Sequence, residues 1–209
     1  MQADFWHDKW KNNRIGWHLN EVNPILVKHI GELSLKKSSR IFIPLCGKTK
    51  DIAWLLQEGF SVVGVELSLK AIKELFEELN IEPKVSTCKE FTVYSAKNIK
   101  IFIGDIFDLD SKLLGNVDAI YDRAAVVAMP KDTRHKYVKH VIKITKQKPQ
   151  LIVNLEYDEK LMDGPPFCVT DNELKSLYEE NYTLTQLQSI HVDKLAGKCQ
   201  ALENVWILK

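Results

Sequence analysis

Hydrophobic positions along the chain alternate between short continuous runs and one-sided stretches with helical spacing. Continuous runs rich in β-branched residues indicate buried strands, whereas apolar residues three or four positions apart indicate amphipathic helices. Strands are predicted at 40–45, 61–66, 117–121, 150–155 and 204–208, with two more in 91–103 on either side of a turn at Lys97 and Asn98. Helices are predicted at 25–35, 51–58, 69–79, 131–145 and 171–180, the last capped by Thr170 or Asp171.

This order of elements predicts an α/β fold in which a mostly parallel sheet is covered by helices on both faces. The chain has 209 residues, of which 45% are apolar and 27% are charged, and we expect residues 1–209 to form a single domain. Ligands of such sheets bind at the carboxyl ends of the strands. The residues that follow the predicted strands are therefore the first candidates for a functional site.

Three of these strand ends carry residues that suit an adenine nucleoside. Gly47 permits a tight turn after the strand at 40–45. Glu66 ends the next strand, about 20 residues further on, where a carboxylate can accept hydrogen bonds from both ribose hydroxyls. Asp105 and Ile106 follow residue 103 and suit the edge and the face of an adenine ring. Each feature alone is more often an ordinary turn or surface residue, but their joint spacing favours a nucleoside ligand.

The turn at Gly47 decides which nucleoside is expected. Gly-Lys-Thr at 47–49 matches the tail of a phosphate-binding loop, but the position five residues before Gly47 is Phe42 and not glycine. A pyrophosphate likewise requires a loop with several glycines at a helix N-terminus. S-adenosylmethionine carries no phosphate, so one permissive turn is enough for it. The turn therefore favours S-adenosylmethionine over a nucleoside triphosphate or a dinucleotide.

The N-terminal segment, residues 1–24, is unusually aromatic. Phe5, Trp6, Trp10 and Trp17 lie close together in it, followed by His18. One interpretation is a helix that packs on the core, which is the commoner fate of such side chains. The other is a lid that closes over both ligands, with Trp10 or Trp17 facing the sulfonium or the ring of the substrate. The position of the segment before the first predicted helix favours the lid.

Charge and cysteine content exclude several classes of partner and site. A net charge of +1 gives no reason to expect binding to nucleic acid or to a membrane surface. Cys46, Cys88, Cys168 and Cys199 are far apart in sequence, which indicates a reduced, cytoplasmic protein without structural zinc. We expect no metal site, no membrane span and a monomer.

The chain resembles the thiopurine S-methyltransferase family, and its bacterial members in particular, over almost its whole length. Five regions carry the resemblance: 5–10 (Phe-Trp-His-Asp-Lys-Trp) continuing to 15–18 (Ile-Gly-Trp-His) and 22–24 (Val-Asn-Pro); 44–48 (Pro-Leu-Cys-Gly-Lys) with Asp51, Trp54 and Leu55; 64–68 (Gly-Val-Glu-Leu-Ser); 121–124 (Tyr-Asp-Arg-Ala); and 164–167 (Gly-Pro-Pro-Phe). The resemblance implies a class I S-adenosylmethionine-dependent methyltransferase with a Rossmann-like, seven-stranded sheet. It also implies methyl transfer to sulfur.

The resemblance also implies which residues form the site. The cofactor contacts fall on Trp10, Leu45, Glu66 and Arg123, with Asp105 and Ile106 beside the adenine. Trp17, His18 and Phe167 are the candidates for substrate binding, Phe167 as a wall of the pocket or part of the lid.

Arg123 is the candidate catalytic residue, because methyl transfer to sulfur needs a thiolate and a nearby cation stabilises it. Two other roles are an ion pair with Asp122 or another carboxylate, and a contact to the cofactor carboxylate. The chain departs from the family near its end, where relatives often have an arginine beside the substrate. The last arginine here is Arg134, and Lys194 or Lys198 is the candidate replacement.

Three functions are compatible with these residues. The first is S-methylation of thiopurine-like or other aromatic thiols. The second is methylation of selenium or tellurium species as a form of detoxification. The third is a nucleoside-binding protein without catalysis, which the combination of Trp10, Glu66 and Arg123 disfavours because simple binding requires fewer groups.

Overall fold

The computed structural model describes residues 3–209, which form one mixed sheet with helices on both faces. The strands are β1 (Arg40–Pro44), β2 (Ser61–Glu66), β3 (Lys84–Cys88), β4 (Phe91–Ala96), β5 (Ile99–Ile103), β6 (Ala119–Arg123), β7 (Gln150–Glu156), β8 (Leu184–Leu195) and β9 (Cys199–Leu208). The α-helices are α1 (Ala3–Lys11), α2 (Pro24–His29), α3 (Lys50–Gln57), α4 (Leu69–Glu78), α5 (Ser111–Leu114), α6 (Lys131–Thr145) and α7 (Asp171–Tyr178). Within residues 3–209, no helix is long and apolar enough to cross a membrane.

The order of the strands places a binding crevice at the end of β1. The sheet runs β3-β4-β5-β2-β1-β6-β7-β9-β8, and the pairings from β5 to β7 are parallel. The pairings at both edges are antiparallel. The chain moves from β1 to β2 on one side and later crosses to β6 on the other side of β1. Ligands of open α/β sheets bind at the carboxyl ends of the strands next to such a reversal.

Two strands near the edges of the sheet, β3 and β8, were not predicted. The expected number of seven strands is wrong, since the described residues 3–209 form a sheet of nine. Every residue of β3 is exposed, so burial imposes no alternation of polar and apolar positions on it. In β8 the alternation is interrupted by register shifts between Gln186 and Gln188 and between Val192 and Leu195. A bulge moves the following side chains to the other face and so removes the period of two from the sequence.

The predicted helix at 25–35 is divided in the structure. Asn23 caps α2 by accepting a hydrogen bond from the Ile25 N–H (2.9 Å), and Pro24 occupies the first helical position. The chain then tightens into a 3-10 turn at Ile30–Leu33 and leaves it through Ser34, whose φ is 52°.

The sheet separates two layers of apolar side chains because successive residues of a strand point to opposite faces. The layer beneath α6 and α7 includes Phe42, Val63, Val65, Phe102, Ile120 and Ile152. The layer beneath α2, α3 and α4 includes Ile41, Ile43, Val62, Ile101, Tyr121 and Leu151. The central strands are thus apolar on both faces, which explains why the continuous apolar runs predicted them correctly.

Asp122 anchors the carboxyl end of β6 in the first of these layers. Its fully buried carboxylate accepts hydrogen bonds from the Tyr137 hydroxyl on α6 and from the Val126 N–H (2.9 Å). Burial raises the pKa of Asp122 to about 6, because the loss of hydration disfavours the carboxylate more than its hydrogen bonds favour it. The end of β6 is therefore fixed by an acid that retains its proton to unusually high pH.

We expect Asp122 to make stability fall as the pH rises. The folded-state pKa is above the unfolded value of about 3.9, so its stabilising contribution is complete below that value and is lost as the pH rises to about 6. The loss is on the order of 3 kcal/mol. Urea unfolding between about pH 4 and pH 7 should show the stability of the wild type falling relative to Asp122→Asn, which keeps an acceptor for Val126. A difference independent of pH would contradict this expectation.

Candidate functional site

Two adjoining cavities open at the carboxyl ends of β1, β2 and β6, with about 610 and 420 Å³ of open space. They share Trp10, Trp17, Leu45 and Ala124 and therefore form one continuous cleft. The larger, which we call the apolar cavity, is also lined by Trp6, Glu66, Leu67, Val127, Ala128, Pro165 and Pro166. The smaller, which we call the polar cavity, is also lined by His18, Ile43, Cys46, Gly47, Lys48, Thr49, Asp51, Tyr121 and Arg123.

The backbone between the two cavities is strained on both sides. Leu45 follows β1 with a φ of 48°, and Ala124 follows the neighbouring β6 with a φ of 75°. A residue with a side chain adopts this left-handed region at a cost on the order of 1 kcal/mol or more, and such strain tends to cluster at ligand sites. The two residues lie at the ends of adjacent parallel strands and line both cavities.

Gly47 makes the turn after β1, and the Trp10 ring packs against its backbone. Its φ is 51°, and a Cβ added to it would lie 3.0 Å from the Trp10 ring. The indole can therefore pack directly on the backbone of the turn only because residue 47 has no side chain. Trp10 is 3% exposed, so its ring forms a wall of the cleft and not a surface feature.

Glu66 ends β2 with a buried carboxylate that is 6% exposed. One oxygen accepts a hydrogen bond from the Gly47 N–H (2.9 Å) and the other from the Ser68 N–H (2.8 Å). Burial raises the pKa of Glu66, and these backbone donors act in the opposite direction. Each carboxylate oxygen has a second lone pair, so both remain able to accept a hydrogen bond from a ligand in the apolar cavity.

The N-terminal segment covers the cleft with a row of aromatic rings. Trp6 meets Trp17 edge to face, with ring centroids 5.3 Å apart, and Trp10 meets Trp17 in the same way at 5.9 Å. Lys70 on α4 holds the end of α1, since its Nζ donates to the Trp10 carbonyl (3.0 Å) and to Asn13 Oδ1 (2.7 Å). A cation at the C-terminus of a helix also opposes the negative end of its dipole.

Arg123 lies at the end of β6 and connects the sheet to this aromatic segment. Its Nη1 donates to the Trp17 carbonyl at 3.0 Å. Arg123 and Asp122 point to opposite faces of the sheet, so the ion pair considered from sequence does not form. Among residues 3–209, no carboxylate oxygen lies within 4.0 Å of the Arg123 guanidinium. The remaining donors of Arg123 are therefore available to the polar cavity.

His18 and Lys48 are the other basic side chains that line the polar cavity. Burial, reinforced by the positive charge of Lys48, lowers the pKa of His18 below its ordinary value, so its imidazole is neutral at pH 7. Lys48 Nζ lies 2.8 Å from carboxylate oxygens of both Glu74 and Glu78. Lys48 is thus held by α4, which leaves Arg123 as the cation best placed for a ligand here.

The remaining sequence candidates lie further from the cleft. Asp105 accepts a hydrogen bond from the Phe107 N–H (3.0 Å) and caps a 3-10 turn, and Ile106 has 0% exposure within the core. Phe167 donates its N–H to the Val127 carbonyl (2.6 Å), and its ring packs against Gly164. None of the three lines either cavity.

Lys194 and Lys198 lie at the exposed end of the β8–β9 hairpin and do not line the cleft. The structure therefore does not bring either lysine to the place of the substrate-bordering arginine.

Several wall residues were not identified from the sequence. They are Trp6, Leu67, Val127, Ala128, Pro165 and Pro166 in the apolar cavity, and Lys48, Asp51 and Tyr121 in the polar one. All of them except Val127 and Ala128 lie inside regions that carried the family resemblance, which was the available signal for them. The two prolines belong to the same loop as Phe167, but they and not Phe167 line the cleft.

Comparison with solved structures defines the class of the protein. The 1,6-didemethyltoxoflavin-N1-methyltransferase of Burkholderia thailandensis, solved with 1,6-didemethyltoxoflavin and S-adenosylhomocysteine, superimposes with a TM-score of 0.68. The match covers 99% of this chain and 87% of that one at 15% sequence identity. The fold is thus that of the class I S-adenosylmethionine-dependent methyltransferases, as expected.

Sequence relatives define the family. A family model described as thiopurine S-methyltransferase matches residues 1–206. The thiopurine S-methyltransferase of Xanthobacter autotrophicus is 47% identical over 211 residues, covering 100% of this chain and 99% of that protein. The one of Teredinibacter turnerae is 47% identical over 209 residues, covering 100% and 97%. The chain belongs to the thiopurine S-methyltransferase family, and S-adenosylmethionine is its cofactor.

The residues of the cleft fit this cofactor. The Glu66 carboxylate suits ribose hydroxyls, the rings of Trp10 and Trp17 suit a sulfonium, and Arg123 has donors that suit a carboxylate. The turn at Gly47 needs to accommodate no phosphate.

We expect Glu66→Ala to weaken the binding of S-adenosylhomocysteine by about 1.5–3 kcal/mol, the scale of hydrogen bonds to a charged acceptor. Titration calorimetry measures the change directly. Because Glu66 also holds two turns, the melting temperature of the unliganded variant should be measured as a control. Unchanged affinity in a folded variant would show that Glu66 does not contact the cofactor.

Proposed function

We propose that the protein transfers the methyl group of S-adenosylmethionine to the sulfur of an aromatic, thiopurine-like thiol. The observation that carries this proposal is the composition of the apolar cavity beyond Glu66. Its walls are Trp6, Trp17, Leu67, Val127, Ala128, Pro165 and Pro166. The indole and proline rings among these apolar side chains present faces that suit a planar ring, and the set includes no histidine, lysine or aspartate that could act as a base.

The absence of a base among these wall residues favours an acceptor that ionises without one. The thiolate is the reactive form of a thiol, and aromatic thiols lose their proton more readily than alkyl thiols. Bound S-adenosylmethionine supplies an electrophilic methyl group; the thiolate sulfur forms the new C–S bond with it as the bond to the sulfonium breaks, leaving S-adenosylhomocysteine. The thiol proton has left to solvent before this step.

The protein contributes alignment and exclusion of water. We place the nucleoside beside Glu66, the sulfonium between Trp10 and Leu45, and the acceptor against Trp6 and the two prolines, Pro165 and Pro166. Effective alignment of nucleophile and methyl group can supply a large part of such a rate acceleration. Arg123 lines only the polar cavity, which favours a contact to the cofactor carboxylate over a direct contact to the acceptor sulfur.

The acceptor can be identified with labelled S-adenosylmethionine and a panel of aromatic thiols, an alkyl thiol, selenite and tellurite. We expect methylated aromatic thiols as the main products, and higher rates with the more acidic thiol of a matched pair near neutral pH. Selenium or tellurium products alone would support the metalloid alternative. Tight binding of S-adenosylhomocysteine with no methylated product would support a non-catalytic nucleoside-binding protein.

We also propose that residues 1–24 act as a lid, of which residues 3–24 are described. The rings of Trp6, Trp10 and Trp17 line the cleft, while the polar attachments from Lys70 and Arg123 reach mainly backbone carbonyls. A segment held by a few such contacts opens more easily than the core. A bound ligand adds contacts to the rings and thereby favours the closed state.

We expect hydrogen exchange across residues 5–18 to slow when S-adenosylhomocysteine is added, and to slow more than exchange in α4. The reason is that the ligand orders the segment, whereas α4 is already packed on the sheet. Mass spectrometry of peptides from the two regions provides the measurement. Equal protection of both regions would contradict the lid, as would full activity in a protein that lacks residues 1–24.

A further inference from the structure

Two buried oxygen atoms of the polar cavity lie near each other, and neither has a hydrogen bond of good geometry within residues 3–209. They are Oδ2 of Asp51, in the first turn of α3, and the hydroxyl of Tyr121, on β6. Each residue is 1% exposed, and both line the polar cavity. A buried polar atom without a partner costs on the order of 1–3 kcal/mol. Two such atoms facing the same space indicate that a ligand supplies their partners.

The structural role of Asp51 occupies only its other oxygen. Oδ1 accepts a hydrogen bond from the Asn23 N–H at 2.7 Å and so fixes the start of α2 against α3. Oδ2 makes no comparable contact. One oxygen of the Asp51 carboxylate therefore holds the backbone at Asn23, and the other remains free to accept a hydrogen bond.

The free oxygens of Asp51 and Tyr121 face the same part of the polar cavity. Burial raises the pKa of Tyr121, the nearby Asp51 carboxylate raises it further, and Arg123 opposes the change. The phenol is thus un-ionised, and its oxygen can accept a hydrogen bond. A free acceptor and a neutral hydroxyl together match a cationic donor with several N–H groups, not an anion.

We propose that Asp51 and Tyr121 bind the α-ammonium group of the amino-acid portion of S-adenosylmethionine, while Arg123 binds its carboxylate. This inference rests on the proposed placement of the nucleoside beside Glu66, because the zwitterionic end of the cofactor then extends past Trp10 and Leu45 into the polar cavity. The three N–H donors of an ammonium satisfy both buried oxygens. Asp51 and Tyr121 are thereby specificity-determining residues for the zwitterion.

Binding of two truncated ligands separates this role from a purely structural one. Titration calorimetry compares S-adenosylhomocysteine with an analogue that lacks the amino group and with one that lacks the carboxylate. Asp51→Asn keeps an oxygen to accept from Asn23 but removes the charge. We expect it to weaken S-adenosylhomocysteine and the decarboxylated analogue by about 10- to 100-fold. The deaminated analogue should bind equally to variant and wild type.

Tyr121→Phe provides an independent test, with Tyr178→Phe as its matched control. Tyr178 is also fully buried with an unpartnered hydroxyl, but it lies on α7, outside the cleft. We expect only Tyr121→Phe to reduce the preference for S-adenosylhomocysteine over its deaminated analogue. The test remains valid even if a substitution lowers stability, because the affinities of each protein for the two ligands are compared with one another.

Two outcomes overturn the proposal. Equal weakening of S-adenosylhomocysteine and its deaminated analogue would show that Asp51 only shapes the cleft. Unchanged affinity of Asp51→Asn for S-adenosylhomocysteine would show that the ammonium lies elsewhere. Because no methyl acceptor takes part, these results do not depend on whether the proposed thiol substrate is correct.

Discussion

The carboxylate of Glu66 is the interaction on which the site depends, because it joins the turns that follow β1 and β2. Through the Gly47 N–H it fixes the turn on which the Trp10 ring packs. Through the Ser68 N–H it fixes the residue whose side chain caps α4 by accepting from the Ala71 N–H at 3.2 Å. A buried acid is costly unless donors surround it, so these two backbone groups also determine where Glu66 can lie.

The same contacts extend from the sheet to the aromatic segment. Helix α4 begins at the cap that Glu66 positions, and Lys70 in its first turn holds the end of α1. On the other side of the cleft, Arg123 holds the Trp17 carbonyl. Besides the Asn23–Asp51 hydrogen bond, these two contacts attach the aromatic part of the segment to the sheet and to α4. A change of position at either contact would move the rings between them, which is how the proposed binding of the cofactor carboxylate by Arg123 and closure of the segment can be linked.

The parts of the fold that could be predicted from the sequence are those in which burial repeats along the chain. β1, β2, β6 and β7 are apolar on both faces, so their runs are unambiguous. The edge strands β3 and β8 lack this signal, since one is exposed throughout and the other is interrupted by bulges. Pairing with a neighbouring strand, and not a pattern of side chains, makes them strands.

The site was predictable to the extent that it lies at strand ends. Glu66 and Arg123 are the last residues of central strands and Leu45 directly follows one, and the structure brings all three to one cleft. The same cleft is also lined by Pro165 and Pro166, from a loop distant in sequence, and by Trp6 of α1. The sequence around these residues does not indicate which part of the cleft they line. Asp51 contributed to the family resemblance, but its role could not be predicted, because an acid in the first turn of a helix is ordinary and only the unpartnered oxygen distinguishes it.

The division of the cleft into two halves also has a consequence for the proposed chemistry. The charged groups, Asp51, Arg123 and Lys48, line the polar cavity, whereas Glu66 is the one charged residue among those that line the apolar cavity. Attack of a thiolate on a sulfonium brings an anion and a cation together and disperses both charges as the new bond forms. Water stabilises the separated charges more than the dispersed ones, so an apolar wall that excludes water favours the transition state over the reactants. Holding the permanent charges of the cofactor in the polar cavity leaves the space around the sulfonium free for that effect.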